Sequence, residues 1–377
     1  MEFRDTPEEA AFRKEVRGFI TEKLPEGSEY GPRLEEALAT ARDPDDAWTI
    51  REGLVGLARE AGLRGDREAA RALCEKGLAL ARDAGDDRGI ARALLALASP
   101  AIIGRRERAL LEEALAFARK CGDKEGVALC LEPLGDIALD AGDHESARAA
   151  FEQMLEIYRE MEDIPGVCES LLHLGAVALS LGDYESARGP VEEAGPLARR
   201  SGRGYLVPFS LWMLGQVVWG LGDSKSARGL FEEALAAARE LPRGFVQVSW
   251  SLRCLAELER REGNIAEAAA LHRENLTLVG QRNRRFVIES LEGLAGVATS
   301  LGQHERAARL FGAAEAARET WRTPIRPSQL RGHDRDLAAA RPGLAEEAFR
   351  AAWAEGRAMP LEEAVNFALE DPRDAQG

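Results

Sequence analysis

LGAVALSLGDYESAR (174–188) recurs along the chain as LGDIALDAGDHESAR (134–148), LGQVVWGLGDSKSAR (214–228) and LAGVATSLGQHERAA (294–308). The turn glycines Gly142, Gly182, Gly222, Gly263 and Gly302 are therefore spaced 40, 40, 41 and 39 residues apart. Weaker copies surround Gly65-Asp66 and Gly263-Asn264, and a degenerate one runs through residues 93–115. A fixed period of this length marks a solenoid of stacked helical hairpins, each unit burying its apolar face only on its neighbours.

The spacing inside one unit explains why it forms a hairpin. Leu131, Leu134, Gly135 and Ala138 fall at i, i+3, i+4 and i+7, one stripe of a helix. Gly142 ends that helix, because glycine reaches left-handed dihedrals at little cost. A second helix aligns Ala147, Phe151 and Leu155 on one face, with Gly135 and Ala147 small enough for close approach and Phe151 filling the gap. The next units place Leu171, Leu174, Gly175, Ala187 and Val191, then Leu211, Leu214, Gly215, Ala227 and Phe231, and later Leu291, Leu294, Ala295, Ala307 and Phe311. This arrangement resembles the tetratricopeptide repeat. The resemblance implies an all-α fold, a right-handed α-solenoid of about seven helical hairpins with N- and C-terminal capping helices. Residues 28–320 form the repeats, 321–370 the C-terminal cap and 371–377 a disordered tail. The period exceeds the usual ~34 residues, and the extra length is expected in the second helix and the loop after it. Gly189-Pro190 and Gly195-Pro196 interrupt one second helix, so a kink or restart is expected at Pro190, either as a hinge or as a static bend absorbed by packing.

Composition removes several functions. The net charge of −15 disfavours binding to nucleic acid. No apolar stretch approaches the ~20 residues of a membrane span, and the acidic N-terminus is not a signal peptide, so a cytoplasmic location is expected. The five cysteines, Cys74, Cys121, Cys130, Cys168 and Cys254, have no CxxC spacing and are expected to be buried free thiols in a reducing cytoplasm. His144, His173, His272, His304 and His333 lack metal-ligand spacing. His144 and His304 are expected in solvent, and His272 in the core at the Phe position of its repeat. Glu-Glu pairs at 112–113, 192–193 and 232–233 follow the repeat and mark a solvated face. No catalytic, cofactor or metal site emerges, and the chain reads as a binding protein rather than an enzyme.

Both ends carry further resemblances. Residues 1–27, with Phe3-Arg4-Asp5-Thr6-Pro7-Glu8-Glu9 and Leu24-Pro25, resemble the opening helix of acyl-CoA dehydrogenases. The flavin site and catalytic glutamate of that family lie in later domains with no counterpart here, so the stretch is expected to be a borrowed leader or a capping helix over the first repeat. LFGAAEAARETWRTPIRPSQ (310–329) and LAEEAFRAAWAEGRAMPLEEAVNFAL (344–369) resemble the end of the tetratricopeptide region in bacterial signalling ATPases, LuxR-type regulators included. The likeness spans about residues 33–370 and lacks that family's ATPase and DNA-binding domains. Two short C-terminal helices are expected, with Phe349, Trp353, Val365 and Phe367 covering the last repeat.

The binding surface follows from helical geometry. At 100° per residue, Phe209, Trp212, Gln216 and Trp219 lie roughly 130° from the packing stripe around Leu214. Trp250 and Arg253 hold matching positions around Leu255. In a tetratricopeptide array this stripe lines the concave face, so the three tryptophans are expected to converge there, flanked by Gln216, Arg253 and Glu257. Packing of the rings on one another is the alternative. Glu132, Asp136, Glu169, Glu257, Glu289 and Glu292 on the same stripe, against Arg253 and Arg260, suggest an acidic groove for a basic or apolar peptide. The expected role is a scaffold gripping a protein segment, with a small-molecule or peptide sensor in a bacterial signalling or transcription system as the alternative. Homo-oligomerisation is compatible with either.

Overall fold

The computed structural model describes residues 44–99, 107–242, 244–280, 283–321 and 327–370, with a few single positions besides. Of segment 1–27 only Lys14, Val16, Arg17 and Gly18 are described, and 371–377 lies outside the described residues, so the expectations for these ends do too. Fourteen helices form seven consecutive hairpins, and no strand occurs among the described residues. They are α1 (Pro44–Arg64) with α2 (Arg67–Asp83), α3 (Asp87–Leu97) with α4 (Arg108–Lys120), and α5 (Lys124–Asp140) with α6 (His144–Glu160). Then come α7 (Ile164–Leu181) with α8 (Tyr184–Arg200), and α9 (Leu206–Gly220) with α10 (Ser224–Arg239). The last two pairs are α11 (Phe245–Glu262) with α12 (Ile265–Val279), and α13 (Arg284–Ser300) with α14 (His304–Trp321). Three helices follow: α15 (Pro327–Ala340), α16 (Glu346–Ala358) and α17 (Leu361–Leu369).

The chain divides into two compact units, residues 1–139 with 143–161, and residues 140–142 with 162–377. In the first, Leu54, Leu73, Leu94 and Ala114 belong to one buried cluster. In the second, Phe231, Leu235, Leu252 and Leu255 form one cluster, and Leu276, Leu291, Phe311 and Phe349 another.

The glycine and aromatic positions account for the hairpin geometry. A Cβ built on Gly135 would stand 2.6 Å from Phe151, and one on Gly215 would stand 2.5 Å from Phe231, so each ring presses on bare backbone. Phe151 and Phe231 are 0% exposed and Phe311 2%. At the turns, Gly142, Gly182 and Gly222 have φ of 80°, 73° and 98°, the region that favours glycine. Glu162, at φ 55°, takes the same conformation between hairpins.

The aspartate after the turn has its own role, which the repeat pattern contained but which needed the geometry to be recognised. Asp143, Asp183 and Asp223 each cap a second helix, accepting from the backbone N of Ser146, Ser186 and Ser226. Asp163 does the same for first helix α7, accepting from Gly166 N at 3.1 Å. Such a cap contributes about 1 kcal/mol. Asp163→Ala should therefore lower stability by about that amount in denaturant unfolding, with Asp163→Asn largely restoring it.

Three expectations need correction. Helix α8 continues unbroken through Pro190 and Pro196, with no restart. The carbonyls that the prolines leave without partners belong to Ser186 and Glu192 on the exposed face, where water can serve them, while Val191, Ala194 and Ala198 keep the buried face. The extra repeat length is shared, since α5, α6 and α8 have 17 residues each and α7 has 18. Finally, α7 does reach the length and apolarity of a span, with a mean hydropathy of 1.5 over 18 residues. It is nevertheless the first helix of a hairpin, packed on α8 and α9, and no other described helix passes that test.

The C-terminal helices cover the last hairpin. Gly312 on α14 meets the Trp353 carbonyl and Gly356 on α16 meets the Arg309 carbonyl, with no room for a methyl at either crossing. Phe349 is buried, and Trp353, Val365 and Phe367 pack beside it in the same cluster. Arg306 donates to the carbonyls of Phe367, Ala368 and Glu370 and so closes the C-terminal end of α17. His304, expected in solvent, lies instead against Gly343 in the short 3-10 turn Arg341–Gly343.

Candidate functional site

Within the second unit, the first helices bring part of the expected aromatic group together. Trp212 of α9 and Trp250 of α11 stack with centroids 4.8 Å apart and an interplanar angle of 22°. Phe209 lies 5.3 Å from Trp250 and 6.0 Å from Trp212. Trp212 Nε1 also donates to Cys254 Sγ at 3.2 Å, and burial pushes that thiol up to about 11. The three rings and Gln216 are all half-buried.

Trp219 does not join them. It stands edge-on to Phe231, centroids 6.2 Å apart, with the Arg261 guanidinium 4.7 Å from its ring centre. Seven residues on one helix share a face but differ by about 10 Å in height. At the height of Trp219 the neighbours are the core phenylalanine of α10 and the end of α11. Glu132 and Asp136 belong to α5 of the first unit, and neither is without an interaction partner.

The acids of this face are paired, which corrects the expectation of an acidic groove. Arg253 Nη1 is 2.6 Å from Glu289 Oε2. Glu257 contacts Arg260 at 2.7 Å and Arg261 at 2.8 Å, and these guanidinium groups outweigh its burial and hold its carboxyl below the ordinary range. Glu292 receives two bonds from Arg318, at 2.9 and 2.7 Å. Burial pushes Glu292 up, but His333 and Arg318 prevail and hold it low. Glu169 pairs with Arg203 at 3.2 Å and accepts from the Tyr205 hydroxyl.

Helix α15, which carries little apolar periodicity, is the element that sequence reasoning missed. It lies against α7, α13 and α14. Asp336 reaches Arg260 at 3.2 Å, Arg335 reaches Glu257 at 3.2 Å, and His333 Nδ1 is 3.3 Å from Glu292 Oε1. The His333 ring also meets Phe311 edge-on at 5.9 Å. Contact with Glu292 raises the affinity of His333 for a proton against the opposing effect of burial. The one available signal was the charge alternation Arg331, His333, Asp334, Arg335, Asp336, which names no partner.

This frame of hairpins agrees with comparison to known proteins. A tetratricopeptide repeat family model matches residues 108–160 and 166–240. These segments are tetratricopeptide repeats. Two proteins named as HTH-type transcriptional regulators, from Mycobacterium bovis and Mycobacterium tuberculosis, are each 36% identical to the chain over 80 residues. That stretch is 21% of this chain, and the match spans only 9% of each relative's length. Among solved structures, a Signal Transduction ATPase with Numerous Domains from Pyrococcus horikoshii, described as having a tetratricopeptide repeat sensor, aligns with TM-score 0.55 and 16% identity. The alignment covers 97% of this chain and 55% of that one. NprR in complex with its cognate peptide NprX aligns with TM-score 0.53 and 15% identity, covering 81% and 92%. At these identities the likeness is one of fold. The aromatic stack and the paired charges are thus carried by the first helices of a tetratricopeptide-type array. Among the described residues no group of His, Cys, Asp and Glu could hold a metal ion.

Proposed function

We propose that this chain is a non-catalytic, cytoplasmic regulatory module that binds a peptide or protein segment on the first-helix face of its second unit. The observation that carries the reading is the half-exposed stack of Phe209, Trp212 and Trp250 beside the Arg253–Glu289 and Glu257–Arg260 pairs. The few residues that dominate binding energy at protein interfaces are enriched in tryptophan, tyrosine and arginine. Rings already stacked lose little conformational freedom when a ligand arrives. The solved structure of similar fold that holds a cognate peptide supports a peptide ligand, and the sensor-bearing ATPase supports a place in signalling. The stack leaves no gap for a planar ligand between Trp212 and Trp250, so a segment laid across the rings suits the site better than a small molecule between them.

A displayed peptide library tests this. Peptides enriched on the wild-type protein should lose about tenfold or more in affinity on a Trp212→Ala, Trp250→Ala double variant, a loss of at least ~1.4 kcal/mol. Circular dichroism should show the variant still helical. Peptides that bind both proteins equally would place the site elsewhere.

A further inference from the structure

Helix α15 is attached differently from its neighbours. The hairpin helices bury apolar stripes on one another, and α16 crosses α14 backbone to backbone at Gly312 and Gly356. Among the described residues, α15 meets the first helices through charged tips, His333 to Glu292, Arg335 to Glu257 and Asp336 to Arg260, and adds Leu337 and the fully buried Ala340 to the apolar cluster. Gly332 inside the helix costs about 1 kcal/mol of helical stability. A 3-10 turn containing Pro342 separates α15 from α16, and α16 and α17 pack on α14 by contacts of their own.

The seat itself is part of the proposed binding face. Glu257 and Arg260 continue on α11 the stripe that begins with Trp250 and Arg253, and Glu292 lies on the next first helix beyond Glu289. We propose that α15 is an internal ligand of this face, one that a partner must displace. The partner is a helical peptide presenting what α15 presents: a cation toward Glu257 and Glu292, a carboxylate toward Arg260 one residue from the first, and a leucine-sized side chain beside them. This rests on the reading that the face binds a peptide, and it narrows that peptide from a uniformly basic one to an amphipathic helix of mixed charge. A tethered segment acts at an effective concentration on the order of millimolar. The closed form is therefore the resting state, and partner affinity is reduced by the fraction that is closed.

A labelled peptide of residues 327–343 serves as probe, with the full-length chain as receptor. In one receptor, His333→Glu and Asp336→Lys set like charges against Glu292 and Arg260 and release α15. This receptor should bind the probe at least about tenfold more tightly than wild type. A second receptor, Gly296→Cys with Asp336→Cys, exploits the 3.4 Å between a Cβ at Gly296 and Asp336 Oδ2. Its oxidised form should exclude the probe, and reduction of the same sample should restore binding. Equal binding by the oxidised and reduced forms, or no binding to either opened receptor while it retains native helicity, overturns the proposal. If the probe binds as expected but no library peptide depends on Trp212 and Trp250, the reading of the aromatic site fails and the internal-ligand assignment stands.

Discussion

Phe231→Ala will destabilise the second unit by about 3–5 kcal/mol, the usual cost of emptying the site of a fully buried aromatic ring. Phe231 is 0% exposed and sits on Gly215, against which it makes the α9–α10 contact. Two glycine substitutions test the same contact from the other side. Alanine favours a helix over glycine by roughly 1 kcal/mol. At Gly229, where nothing lies within 4 Å of an added Cβ, that gain should appear as increased stability. At Gly215 the Cβ would meet Phe231 carbons at 2.5, 2.7 and 3.1 Å, and overpacking of about 1–3 kcal/mol outweighs the gain. Opposite signs for Gly229→Ala and Gly215→Ala in denaturant titrations are the expected result. Equal signs would show that the ring yields freely.

His272→Phe should make the protein markedly more resistant to acid. His272 occupies the sequence position of Phe231 and Phe311 in its own repeat, but its ring presses on Gly293 of α13 in the next hairpin, whereas Phe231 presses on Gly215 of its own hairpin. Burial, assisted by Arg253 and Arg260, pushes the imidazole down to about 3. The unfolded chain takes up the proton near pH 6.5. Stability from the neutral ring is thus fully present above about pH 6.5 and falls by up to ~1.4 kcal/mol per pH unit as the pH drops toward 3. Phenylalanine keeps an aromatic ring at this position and has nothing to protonate. Thermal unfolding of variant and wild type between pH 7 and pH 4 should diverge steadily as the pH falls, and parallel curves would contradict the assignment.

The hairpins were legible in the sequence because each depends on local rules that recur. Leu171, Gly175, Ala187 and Val191 repeat a spacing set by the helical period, and Gly182 marks the turn whatever surrounds it. His272 was readable in the same way, by alignment with the phenylalanines of neighbouring repeats. The site was less legible. Helical angle placed Trp212, Trp219 and Trp250 together, but angle carries no information about height, and Trp219 sits where Arg261 and Phe231 claim it. The acids on the stripe were visible, whereas several of their arginine partners lie far along the chain. Arg318 is 26 residues from Glu292, and Arg335 is 78 from Glu257. Helix α15 was invisible for the same reason, since charge contacts leave no periodicity in the sequence.

The reach of α15 also alters how the second unit can come apart. A stack in which each hairpin holds only its neighbours behaves as a linear chain of coupled units, able to fray from either end. By touching α7 as well as α13, α15 ties the first hairpin of the unit to the last. Fraying at one end then loosens the other, so hairpins that would melt one by one are drawn into a single cooperative transition.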